Sequence, residues 1–136
     1  MRIAGFALSL AAVGVTVVLS SGVQSFVDLP ALLFVLLFGV GIVVATHGLP
    51  ATRHVWRSLF GQMSPEHSAE VRQIAATGRH GFVAAGWVGV IIGVVQMLSS
   101  LDDPANLGKG TAVALLSALY GYLLAYLVCL PVERRA

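Results

Sequence analysis

Four stretches of this chain, about 3–20, 31–48, 82–100 and 111–130, contain no Asp, Glu, Lys or Arg. Each is close to the roughly 20 apolar residues that carry a helix across the ~30 Å hydrocarbon core of a bilayer. Inside that core no water hydrogen-bonds a bare peptide group, so each segment must satisfy its own N–H and C=O groups, which a helix does. This constraint predicts an all-α membrane protein with four transmembrane helices. Composition points the same way, with 57% hydrophobic residues, 10% charged residues and a mean hydropathy of +0.90. A soluble domain carries roughly a quarter charged residues; this chain has too few to cover a water-facing surface. Its 136 residues are read as a single membrane domain.

The same composition excludes a soluble enzyme. No nucleophile–base pair, cofactor motif or metal-ligating cluster is visible, so no catalytic residue, cofactor or metal ligand is assigned. The one cysteine, Cys129, lies in an apolar run and is read as packing. A net charge of +2, with no basic run among aromatics, gives no reason to expect a nucleic-acid partner.

Orientation follows from the basic residues. With four spans, Arg2, Arg53, Arg57, Arg72, Arg79, Arg134 and Arg135 fall on one side and only Lys109 on the other. Both termini and the 49–80 loop are therefore expected in the cytoplasm, and the 21–30 and 101–110 connections outside. The first stretch has a second reading, a cleaved leader with Arg2 as its basic end and "SSGVQS" as its processing site. The cytoplasmic loop is expected to hold an amphipathic helix over 51–62, with Val55, Leu59 and Phe60 opposing Arg53 and Arg57. A second helix starts with Ser64 as N-cap, Pro65 at N1 and Glu66 at the positive helix end. It either ends at Gly78 or Gly81 or runs unbroken into the third span. On the far side, Asn106 and Gly108 read as turn residues, with Thr111 leading into the fourth span.

Spans three and four carry small residues at helical spacing: Gly81, Ala85, Gly89 and Gly93 in one, Ser117, Gly121 and Ala125 in the other, with Gly86 beside the first row. Such rows let helix backbones approach closely, which drives association in lipid. They fit either contact within one subunit or an interface between subunits. An ion path at membrane depth ordinarily needs a titratable group, and no span supplies a carboxylate. His47 and His80 sit at span ends and are read as interfacial residues.

Two segments, "FVDLPALLFVLLFGVGIVVA" (26–45) and "GVIIGVVQMLSSLDDPANLGKGTAVALLSALYGYLLAYLVCLP" (89–131), resemble the MotA branch of the MotA/TolQ/ExbB proton-channel family. The second carries Gly89, Gly93, Met97, Asp103, Pro104, Gly108, Tyr120, Gly121, Ala125 and Pro131 at matching offsets. The resemblance implies a subunit of a homopentameric ring in the bacterial inner membrane, built around a dimer of single-span MotB/ExbD-like partners. In that family the partner supplies the ion-carrying aspartate, so this chain's missing carboxylate is what the resemblance implies. By the same resemblance Val90, Ser117, Ala118 and Tyr120 mark the ion path, Gly86, Gly89, Gly93, Gly121 and Ala125 the helix packing or ring interface, and Asp102, Asp103, Pro104 and Gly108 the external loop.

Three departures from the pattern bear on function. Val90 stands where sodium-driven members often have Thr, which points away from sodium. Ser117 and Ala118 replace a Thr pair, and Ala118 lacks the hydroxyl tied to ion passage. A cytoplasmic loop of about 30 residues stands where flagellar members carry a large charged domain, which points away from a flagellar rotor as the load. Two functions are carried forward: a ring subunit of a proton-driven motor or channel, and a membrane scaffold that kept the ring and lost conduction.

Overall fold

The computed structural model describes residues 2–20, 27–59 and 68–135, all but two of them, 27 and 28, and the turn at 99–103 in helices. Helix α1 covers Arg2–Ser20, α2 Leu29–Leu59, α3 Ser68–Leu98 and α4 Pro104–Leu123; α4 continues through a π-helical stretch, Leu124–Cys129, into α5, Leu130–Arg135. The possible processing site near residues 21–25 and the expected cap Ser64, with Pro65 and Glu66, lie outside the described residues. Three helical stretches are long and apolar enough to cross a bilayer: Leu29–Pro50, Ser68–Leu98 and Pro104–Arg134. In α1 the apolar run is shorter, Leu8–Leu19. Its Leu8, Val18 and Leu19 are 73%, 66% and 79% exposed, and no described side chain of α1 is among the buried core residues.

Helix α3 is the spine. Its 31 residues rise about 46 Å, well beyond the ~30 Å hydrocarbon core. Of the two readings of Gly78 and Gly81, the continuous one holds, because the helix passes through both without a break. A methyl on Gly78 would lie 3.3 Å from Cys129 Sγ, and one on Gly81 would lie 3.4 Å from the Gly39 carbonyl. These glycines give α2 and the end of α4 room to approach; they are not helix stops.

Helix α2 does break, at Gly48, whose φ of 79° and ψ of 165° are open to glycine but strained for other residues. Pro50 explains the position, since its ring cannot donate a hydrogen bond and clashes with the helical carbonyl four residues earlier. Thr52 Oγ1 donates to the Gly48 carbonyl at 2.9 Å. The amphipathic stretch predicted over 51–62 is helical to Leu59, and the side chains of 53–59 lie outside the described residues.

The α3–α4 connection is shorter than the sequence led us to expect. Helix α4 starts at Pro104, seven residues ahead of the span boundary placed at Thr111. Asp103 is the N-cap: its Oδ1 accepts from the Ala105 N–H at 3.0 Å and its Oδ2 from Asn106 Nδ2 at 2.9 Å. Pro104 then occupies the first helical position, where its missing N–H costs nothing. Asn106 and Gly108 are therefore helical, not turn residues, and Thr111 Oγ1 donates back to the Leu107 carbonyl at 2.8 Å inside the helix.

At the other end, Pro131 again withholds an N–H, and the chain adapts by widening. The Leu130 N–H reaches the Ala125 carbonyl, five residues back, and Leu124–Cys129 is π-helical. Val35, Phe82, Ala85, Ala125 and Cys129 form the main core, followed toward the Ser68 end of α3 by Val43 with Ile74 and by Val71, Ala75 and Val132. Replacing Gly48 by Ala is expected to destabilise the fold by about 1–2 kcal/mol through backbone strain. A thermal melt in detergent checks this; an unchanged midpoint would contradict the left-handed break.

Candidate functional site: the α3–α4 seam and the outer face of α4

Helices α3 and α4 meet backbone to backbone. A methyl on Gly93 would lie 2.6 Å from the Ala114 nitrogen and 2.7 Å from the Gly110 carbonyl. One on Gly121 would lie 2.6 Å from the Phe82 carbonyl and 2.8 Å from the Gly86 Cα. At Gly89 it would run into the side chain of Ser117. No Cβ tolerates such distances, so the small residues set how near the helices come. Within the one chain Gly86 thus faces Gly121, Gly89 faces Ser117 and Gly93 faces Ala114 and Gly110, and Ala125 joins the core beside Phe82. Gly110 completes the seam opposite Met97 and Gly93. Sequence reasoning passed over Gly110, although it lies four residues before Ala114 and eleven before Gly121, on the same helical line.

The four positions assigned to the ion path are placed differently from one another. Ser117 is 1% exposed in the seam, and its Oγ has no hydrogen-bond partner among the described residues. The Tyr120 hydroxyl accepts the Asp28 N–H at 3.0 Å, at the mouth of α2, where helix geometry leaves amides unpaired. Val90 and Ala118 are half-buried, and the Ala118 Cα would sit 3.4 Å from a methyl on Gly86. The structure therefore puts Ser117 inside the seam and Ala118 at its edge, and turns Tyr120 toward α2. Gln96 is exposed on α3, and Asp102 and Asp103 are exposed in and beside the turn.

Two polar links close the opposite end. Arg79 Nε and Glu133 Oε2 are 3.1 Å apart, with 27% and 20% of their side chains exposed, and tie α3 to α5. His47 Nε2 lies 3.0 Å from Thr77 Oγ1, whose hydroxyl donates to the Gln73 carbonyl. His80 is exposed. Neither link was read from the sequence, because i-to-distant pairings leave no local spacing signal.

Glycine-packed apolar helices with no charge at their centre define a multi-pass membrane protein with a closely packed α3–α4 hairpin. A family profile, MotA/TolQ/ExbB proton channel family, matches residues 47–136, which include α3, α4 and α5. The chain belongs to that family. The resemblance seen in 26–45 falls before the matched residues. Among curated relatives, motility protein A of Aquifex aeolicus is 48% identical over 54 residues, 40% of this chain and 21% of that protein. Chemotaxis protein PomA of Vibrio alginolyticus is 47% identical over 49 residues, 36% of this chain and 19% of that protein. The chain thus aligns with about a fifth of the length of these relatives.

Gly93→Leu is expected to separate the seam and lower the melting midpoint strongly, since overpacking a tight contact costs about 1–3 kcal/mol or more. Gly108→Leu is the control, with nothing within 4 Å of its added Cβ. Equal midpoints for the two variants would contradict the close crossing.

Proposed function

We propose that this chain is the ring subunit of a proton-motive-force-driven membrane motor or channel, working with a single-span MotB/ExbD-like partner dimer. The observation that carries this reading is the family match across a hairpin whose seam is closed by Gly86, Gly93 and Gly121. The spans hold no carboxylate, so the proton-carrying aspartate belongs to the partner. Five copies form the ring, with α3 and α4 toward its centre and α1 and α2 toward lipid; the exposed Leu8, Val18, Leu33 and Leu37 suit that outer position. The arginine distribution puts both termini and the α2–α3 connection in the cytoplasm of a bacterial inner membrane. Four spans, α1 included, make up the one membrane domain. Val90 favours protons over sodium as the driving ion. The chain is not an enzyme.

A second reading, a non-conducting scaffold, is favoured by Ala118 and by the burial of the neighbouring Ser117 hydroxyl. One experiment separates the two. The complex isolated from its own membranes is counted by native mass spectrometry and reconstituted into vesicles under an imposed pH gradient. A five-membered ring with a single-span partner and measurable proton flux is the expected result. A ring that is silent until Ala118→Thr is introduced supports the scaffold. A monomer with no partner contradicts both.

A further inference from the structure

The side of α4 turned away from the seam carries two tyrosines that the ion-path assignment above does not use. Tyr122 and Tyr126 are 43% and 44% exposed, and their rings stack with centroids 6.1 Å apart and planes within 10°. Neither phenol oxygen has a hydrogen-bond partner among the described residues. They lie one and two turns beyond Ala118 on a line with Thr111 and Leu115. Tyr122 follows Gly121, so it points roughly 100° around the helix from the seam.

Their depth matters. Tyr122 is eleven residues from Glu133, about 16 Å along the helix, which places it near the middle of a ~30 Å core. Aromatic side chains on a helix lean toward its N-terminus. On α4 that direction carries both rings away from the Arg134 end, moving Tyr126 toward the membrane centre and leaving Tyr122 near it. A belt tyrosine reaching for headgroups would lean the other way. A hydroxyl facing hydrocarbon there loses its hydrogen bonds at a cost of several kcal/mol in an alkane-like medium, so this face meets something polar. The π-helical stretch fits the same purpose. Ideal α-helical winding would offset Tyr126 from Tyr122 by roughly 40°; wider turns over Leu124–Cys129 bring it closer to the same line, consistent with the near-parallel rings. Such stretches recur at functional sites.

We propose that Tyr122 and Tyr126 line the ion path and take the place of the hydroxyl that Ala118 lacks, holding the water along which protons pass. The phenols keep their own protons and act as hydrogen-bonding walls. This rests on the ring-subunit reading. The test is proton flux through the complex isolated from its own membranes, carrying Tyr122→Phe, Tyr126→Phe or both. Each phenol hydrogen bond is worth a factor of about 2–10, so the double variant is expected to lose flux by a factor of about 4–100 while the ring count on native mass spectrometry stays the same. Adding Ala118→Thr to the double variant is expected to restore flux. Flux unchanged in the double variant overturns the proposal. So does a ring that falls apart while the remaining rings conduct normally, because the hydroxyls would then be subunit contacts. A wild-type complex without flux overturns the ring-subunit reading itself.

Discussion

Everything in this subunit hangs on the distance between two helix backbones. In lipid there is no hydrophobic gain from bringing apolar helices together, since the tails are as apolar as the side chains; tight van der Waals packing must supply the adhesion instead. Gly86, Gly93, Gly110 and Gly121 remove the side chains that would keep α3 and α4 apart. Once that crossing is set, Phe82 and Ala85 are in position to hold Val35 of α2 and Ala125 of α4 in one core. The Asp103–Pro104 start of α4 fits the same demand, because a short turn is needed between helices that leave the crossing so close.

Closing the seam also decides what is left outside it. The seam glycines are taken up within the chain, and much of the surface left outside the seam is bulky: Trp87, Ile91, Val95 and Leu98 on α3, Leu115, Tyr122 and Tyr126 on α4 and its continuation. One side of α4 fixes the fold and the other is left free for contacts outside this packing. The Arg79–Glu133 pair and the His47–Thr77 contact fasten the far ends of the same helices, where α3 extends beyond the bilayer.

Much of this was legible in the sequence, for physical reasons. A charge-free run of about 20 residues has one conformational solution in a bilayer, so the helices of α2, α3 and α4 could be placed. Four-residue spacing marked Gly89, Gly93, Gly121 and Ala125, because that spacing is a property of the helix itself. Pairing was not legible. Nothing in the spacing says that Gly93 meets Ala114 and Gly110, or that Ser117 lies under Gly89 while Tyr120 reaches Asp28. Rules learned in water left one place open and misled at another. Gly78 and Gly81 could be read as helix ends or as points within one helix, and the continuous reading holds because interrupting a helix near a bilayer leaves amides without partners. Asn106 and Gly108 looked like a turn, but the Asp103–Pro104 cap had already started the helix. The break at Gly48 and the π-helical stretch were both announced by prolines, Pro50 and Pro131, whose effect depends on how the surrounding helix absorbs them.

The measurement that bears most directly on the seam is an electron cryo-microscopy map of the assembled complex, traced through the 99–103 turn so that α3 and α4 of one chain are identified without ambiguity. Gly93 should then meet Gly110 and Ala114, and Gly121 should meet Phe82, all within that chain, with Tyr122 and Tyr126 outside the seam. A map in which those glycines pack instead against helices of a neighbouring subunit would contradict the structure described above and the division of faces that follows from it.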